Sequence, residues 1–190
     1  MPVIIDMKIV APRIDWAALM LLFIAIGSLA ARTPAIAASV GDLAPDFELT
    51  RQDGSTFRLS DFRDRKPVYL IFWNTWCTYC IKKTPRFQKL QEQFGDKIEI
   101  IAINTTWSDS PQEMRLFEEQ HDINYLTAFD DGELITDQYD VFKVPTEFIV
   151  DIDGIIRYRD RLPEYVAAHL PDWLLPYVPS KDTAQLACKK

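Results

Sequence analysis

Residues 72–80 read Phe72-Trp73-Asn74-Thr75-Trp76-Cys77-Thr78-Tyr79-Cys80. They close a continuous apolar run that begins at Pro67-Val68-Tyr69-Leu70-Ile71, the pattern of a strand buried on both faces. A helix is predicted to start near Cys77 and to run to about Phe94, where Gly95-Asp96 ends it. A buried strand, a short loop and two cysteines at a helix start form the context in which C-x-x-C reads as a redox motif rather than a metal knuckle. Two intervening residues let both sulfurs meet in a small ring. The first thiol then lies at the helix N-terminus, where partial positive charge favours the thiolate, the attacking species in disulfide exchange. The second lies about one turn inward and is placed to attack the mixed disulfide that the first one forms.

Working outward, Phe47-Glu48-Leu49-Thr50 and Thr56-Phe57-Arg58-Leu59 flank Asp53-Gly54 and predict an N-terminal hairpin. Ile98 to Ile103 predicts the next buried strand. Ser110-Pro111-Gln112-Glu113 is a capping box with proline at the first helical position, and Met114, Phe117 and His121 follow on one face at helical spacing. Tyr125 to Phe129 predicts a short strand and Glu133 to Tyr139 a short helix. Thr146 to Asp151 and Ile155 to Tyr158 predict a second hairpin about Asp153-Gly154. A last helix is expected after Leu162, with Pro171 breaking or kinking it. The order β-β-β-α-β-α-(β-α)-β-β-α predicts an α/β fold: a central mixed sheet flanked by helices, with an N-terminal β-hairpin and a βα insertion.

The chain has 190 residues, 48% of them hydrophobic and 26% charged, which fits one globular domain rather than a disordered chain. Its formal net charge of −7 argues against nucleic acid as a partner. Three cysteines are too few for a disulfide-stapled scaffold. From Trp16 to Ala31 there is no charged residue, Lys8 and Arg13 precede the run, and Ala35-Ile36-Ala37 offers small residues before a cleavage at Ala38. Residues 1–37 therefore read as a signal peptide or an uncleaved membrane anchor. Residues 38–176 read as the folded domain and 177–190 as a polar C-terminal tail carrying Cys188, a free thiol. Export would place the domain in a bacterial periplasm or at the extracytoplasmic face of the membrane, where thiols meet oxidants.

Other chemistries fit the cysteine pair less well. Zinc wants four ligands, and Cys188, His121 and His169 have no paired spacing, so no metal site is expected. A Cu(I)-binding module of the metallochaperone type is the alternative for two soft thiolates. A non-catalytic adaptor is the third reading.

Three stretches, taken in order, resemble the thioredoxin superfamily and, more narrowly, the exported TlpA/ResA-like thiol-disulfide oxidoreductases. They are Gly41-Asp42-Leu43-Ala44-Pro45-Asp46-Phe47-Glu48-Leu49, then Phe72 to Cys80, then Val144-Pro145-Thr146-Glu147-Phe148-Ile149-Val150-Asp151. The likeness covers roughly residues 40–170. Peroxiredoxins share the first stretch, but no peroxidatic pattern of Pro and Thr precedes Cys77. The resemblance implies a thioredoxin-like fold. It implies Cys77 as nucleophile, Cys80 as resolving thiol, Trp76 as the flanking aromatic, Pro85 as a helix-kinking proline and Pro145 as a cis-proline facing the pair. It also implies that the backbone of Val144 pairs with an extended substrate peptide. No cofactor is implied beyond a Cys77–Cys80 disulfide. The implied partners are a protein thiol or disulfide substrate and a membrane thiol-electron donor, and many members serve cytochrome c maturation.

The chain departs from the pattern in its acids. Relatives often carry Glu three residues after the second cysteine, where this chain has Lys83, and thioredoxins carry Asp six residues before the first, where it has Ile71. Glu147 is the acid left near the site and is the candidate proton shuttle, with a solvated strand residue as the plainer alternative. Lys82 and Lys83 are candidates to favour the thiolate, or simply a solvated helix face.

Overall fold

A computed structural model describes residues 38–51 and 54–162. The order is β1 (Glu48–Thr50), β2 (Thr56–Arg58), a 3-10 turn (Leu59–Phe62), β3 (Val68–Trp73), α1 (Thr78–Phe94), β4 (Glu99–Asn104), α2 (Pro111–Gln120), β5 (Leu126–Phe129), α3 (Leu134–Gln138), β6 (Thr146–Val150) and β7 (Ile156–Asp160). Each strand and helix expected between residues 47 and 160 is present within one or two residues of its expected ends. The helix expected after Leu162, Pro171, His169, Cys188 and the segments 1–37 and 177–190 lie outside the described residues.

The main sheet has the order β5-β4-β3-β6-β7, and β1 and β2 pair with each other as a separate two-stranded sheet. β3–β4 and β4–β5 run parallel, joined by the helical crossovers α1 and α2, while β6 and β7 are antiparallel. This is the expected mixed sheet of a thioredoxin-like α/β fold. All six residues of β3 are buried, as its unbroken apolar run requires. Val68, Leu70 and Phe72 face one core with the hairpin, Ile135 and Tyr139; Tyr69, Ile71 and Trp73 face another with Phe87 and Leu90 of α1 and Met114 and Phe117 of α2. The sheet therefore places α1 and α2 on one side, and β1, β2 and α3 on the other. In α1 the buried residues Cys80, Thr84, Phe87 and Leu90 recur at helical spacing, which fixes the helix on the sheet.

One feature had no sequence signal. The segment at residues 41–44 runs along β7: Gly41 N–H donates to Ile156 O at 2.8 Å and Ile156 N–H donates to Asp42 O at 2.9 Å. That pairing covers the start of an edge strand, which would otherwise present open backbone groups.

Candidate active site

The redox pair forms where β3 ends and α1 begins. Cys77 is the N-cap of α1, and its Sγ accepts the Cys80 N–H at 3.2 Å. A sulfur at the cap thus satisfies one of the amides that a helix start leaves unpaired. Cys77 and Cys80 are joined in a disulfide with Cα atoms 5.2 Å apart. Both are buried, whereas Trp76 (53% exposed) and Tyr79 (59%) beside them face solvent. The Arg161 guanidinium lies 4.9 Å from the centre of the Tyr79 ring. Pro85 lies inside α1.

The second half of the site comes from the loop before β6. The Val144–Pro145 peptide is cis. Pro145 is buried, and Val144 packs against the same apolar cluster that holds Cys77 and Cys80. Phe142, two residues earlier, is 70% exposed. The sequence-predicted residues Trp76, Cys77, Cys80, Val144 and Pro145 are thus gathered at one end of the sheet.

Glu147 is not a solvated strand residue: it is 0% exposed. It pairs with Ile71 across β3 and β6, and alternation puts its side chain on the α1 side of the sheet. Its carboxylate accepts from the Tyr69 hydroxyl at 2.7 Å, from Leu162 N–H at 3.1 Å and from the Lys83 ammonium, with which it forms an ion pair. Lys83 also donates to Leu162 O at 3.2 Å. The view of Lys82 and Lys83 as one solvated face therefore needs correcting. Lys82 is exposed, but Lys83 turns inward, and its charge is matched by Glu147. Burial, then the Glu147 charge and its hydrogen bond, push the Tyr69 phenol well above its ordinary range, so it stays protonated and donates. Glu147 thus lies on β6, across from Ile71 and in contact with Lys83.

A second polar cluster escaped the sequence reading. Asn74 and Asn104, at the ends of the parallel strands β3 and β4, are fully buried. Asn74 Nδ2 donates to Asn104 Oδ1 at 3.2 Å and to Asp109 Oδ2 at 3.1 Å. Asn104 Nδ2 donates to Asp109 Oδ2 at 2.8 Å, and Thr75 N–H donates to the same oxygen at 2.7 Å. The Thr75 hydroxyl donates to Asp109 Oδ1. The Trp76 indole N–H donates to Trp107 O at 2.7 Å. The available signal was two buried strands each ending in Asn, with an Asp just ahead of a capping box. Among the described residues no group of three or more His, Cys, Asp or Glu could hold a metal, and no helix is long and apolar enough to cross a membrane.

A buried disulfide capping a helix, on a thioredoxin-like sheet, with a cis-proline loop packed on the same cluster, defines a site for thiol chemistry. The chain belongs to the AhpC/TSA family, which it matches over residues 40–159. Within it the chain is 33% identical over 140 residues to the thiol-disulfide oxidoreductase ResA of Bacillus thuringiensis subsp. konkukian, covering 70% of this chain and 79% of that one. It is 35% identical over 118 residues to the thioredoxin-like protein YneN of Bacillus subtilis, covering 62% and 68%. Among solved structures, a thiol:disulfide interchange protein DsbE from Chlorobium tepidum aligns with a TM-score of 0.66 at 26% identity, covering 75% of this chain and all of that one. The exposed lipoprotein thioredoxin Etrx1 of Streptococcus pneumoniae aligns at 0.60 and 26%, covering 70% and 99%. The protein is a ResA-like thiol-disulfide oxidoreductase of the thioredoxin superfamily.

Proposed function

We propose that the protein acts outside the cytoplasm as a reductant of protein disulfides. The Cys77 thiolate attacks one sulfur of a substrate disulfide. That S–S bond breaks, the other substrate sulfur leaves as thiolate and takes a proton, and a Cys77–substrate mixed disulfide remains. Cys80 loses its proton, attacks Cys77 Sγ and releases the second substrate thiol. Two electrons have passed to the substrate, and Cys77–Cys80 is left oxidised. A membrane thiol donor resets it by the reverse exchange. The observation that carries this reading is the Cys77 sulfur held at the N-cap with the Cys80 amide aimed at it, the arrangement that stabilises a thiolate. Trp76 and the Val144 backbone receive the substrate as an extended strand beside Pro145. The uncharged run from Trp16 to Ala31, followed by Ala35-Ile36-Ala37, supports export.

Glu147 moves the proton to and from Cys80. What supports this is a fully buried carboxylate on the same sheet face, in contact with Lys83, which itself lies one helical turn after Cys80. Glu147→Gln keeps an acceptor for Tyr69 and Leu162, and it should displace the pH profile of mixed-disulfide resolution. An unchanged profile removes Glu147 from the reaction.

The direct test uses the full chain. Cys77→Ser should abolish reduction of a protein disulfide, and Cys80→Ser should accumulate the mixed disulfide, with an apocytochrome c disulfide among the substrates tried. A reduction potential of about −270 mV fits a reductant, and one of about −120 mV would reverse the direction. Labelling of Cys77 by a membrane-impermeant maleimide in intact cells tests the location. Stoichiometric Cu(I) without turnover would replace the enzyme reading by metal delivery.

A further inference from the structure

The disulfide fixes Cys77 only while the enzyme is oxidised. Once the pair is reduced, the nucleophile depends on what holds residues 74–76, the segment that delivers it to the helix cap. We infer that Asp109 is the positioning residue for the reduced enzyme, and the inference rests on Cys77 being the attacking thiol. Its carboxylate gathers four donors, and three of them come from Asn74 and Thr75. The remaining donor, Asn104 Nδ2, ties the group to the end of β4. Asn74 in turn accepts the Cys77 N–H at 3.2 Å through its backbone carbonyl and the Thr105 hydroxyl at 2.8 Å through Oδ1. Each hydrogen bond thus fixes one more atom of the turn that ends at Cys77. The neighbouring Trp107 carbonyl holds the Trp76 indole.

The loop that carries Asp109 is built at a cost. Thr106 and Ser108 both have left-handed backbone angles, φ 65° and 52°, although neither is glycine. Non-glycine residues stay in that region only where their surroundings over-determine it. Thr106 N–H donates to Asn104 Oδ1 at 2.9 Å and Asp109 N–H donates to Thr106 O at 3.1 Å, so the strained turn is closed onto the same cluster. The consequence is a clamp of neutral donors around one carboxylate, connecting the ends of β3 and β4 to Thr75, two residues before Cys77. Without it the reduced Cys77 side chain samples positions away from the Cys80 amide, and its thiolate loses the helix-end stabilisation.

Positioning and plain electrostatics predict opposite signs, which makes the test decisive. The Asp109 charge by itself disfavours a nearby thiolate, so removing it would lower the thiol pKa and speed alkylation. The clamp predicts the reverse. The experiment measures the rate of Cys77 alkylation by iodoacetamide against pH, by peptide mass, on the reduced full-length protein. Asp109→Asn should slow the reaction at pH 7 about tenfold and raise the midpoint of the profile, the size expected when a reacting group is misplaced. Thr75→Val, which removes the hydroxyl donor without changing charge, should slow it about threefold, and Thr75→Ser should restore the native rate. A faster Asp109→Asn, or Thr75→Val and Thr75→Ser both reacting like the native protein, overturns the clamp. A native Cys77 that does not react at all overturns the proposed function instead.

Discussion

Glu147 and Asp109 each gather several donors next to the helix that carries the cysteines, but they are compensated in different ways. Glu147 is wholly buried and has a full positive charge, Lys83, against it, along with the Tyr69 hydroxyl and the Leu162 amide. Asp109 is partly open to solvent and has only neutral donors, two side-chain amides, a hydroxyl and a backbone N–H. The difference follows from desolvation. A carboxylate taken fully out of water needs a counter-charge, while one left partly in water can be satisfied by dipoles. It follows that the Glu147 cluster should govern stability, whereas the Asp109 cluster should govern the shape of the loop.

The largest effect is expected from breaking the buried pair. Glu147→Leu leaves the Lys83 ammonium and the Tyr69 hydroxyl without their partner and should cost about 3–5 kcal/mol of unfolding free energy. Lys83→Met should cost a similar amount, because it strands the carboxylate instead. The double variant Lys83→Met with Glu147→Leu should recover much of the loss, since two apolar side chains need no counter-charge. Urea denaturation of the four proteins checks this, and a double variant no better than the sum of its singles would show that the pair is not a unit.

Asp109→Asn should cost less, about 1.5–3 kcal/mol, the range for hydrogen bonds to a charged group. Solvent reaches this carboxylate and shares the loss. A cost equal to that of Glu147→Leu would remove the contrast between the two clusters.

Tyr69 sharpens the comparison through pH. Its phenol is raised well above the ordinary value of 10.0, chiefly by burial and then by the Glu147 charge. Burial also pushes Tyr125 up to about 12. A group with a raised folded-state value binds its proton more tightly when folded. Its contribution is therefore complete below about pH 10 and is lost as the pH rises toward the folded value. The urea midpoint should hold from pH 7 to 9 and fall above 10. Tyr69→Phe should cost about 1–2 kcal/mol at pH 7, where the hydroxyl donates to Glu147, yet lose stability less steeply above pH 10.

How much of this was legible depended on whether a feature is local. The strand Val68–Trp73, the cap at Ser110 and the cysteine pair are all read from neighbouring residues, and each is where the spacing puts it. Glu147 was legible as an acid near Pro145 but not as a buried one. Its burial depends on Lys83, 64 positions away, and on the register that sets it across from Ile71. The inward turn of Lys83 is hidden for the same reason: its spacing in the helix resembles that of a surface lysine, and only the sheet behind it supplies the partner. The Asp109 cluster ties Asn74 to residues 30 and 35 positions further on through side-chain amides, which leave no periodic trace.

The smallest effect separates Asp109 from the residue beside it. Ser110 caps α2, with its hydroxyl accepting the Glu113 N–H at 3.2 Å and donating to the Glu113 carboxylate at 2.7 Å. Ser110→Ala should cost about 1 kcal/mol, the usual loss for a serine cap. The cap faces the helix that follows, whereas the Asp109 carboxylate faces the turn at residues 74–76. Ser110→Ala should therefore loosen the start of α2 and leave the alkylation rate of Cys77 at its native value. If that rate falls as far as in Asp109→Asn, the loop matters only as the entry to α2. If it holds while Asp109→Asn slows, control of the nucleophile belongs to the carboxylate and its four donors.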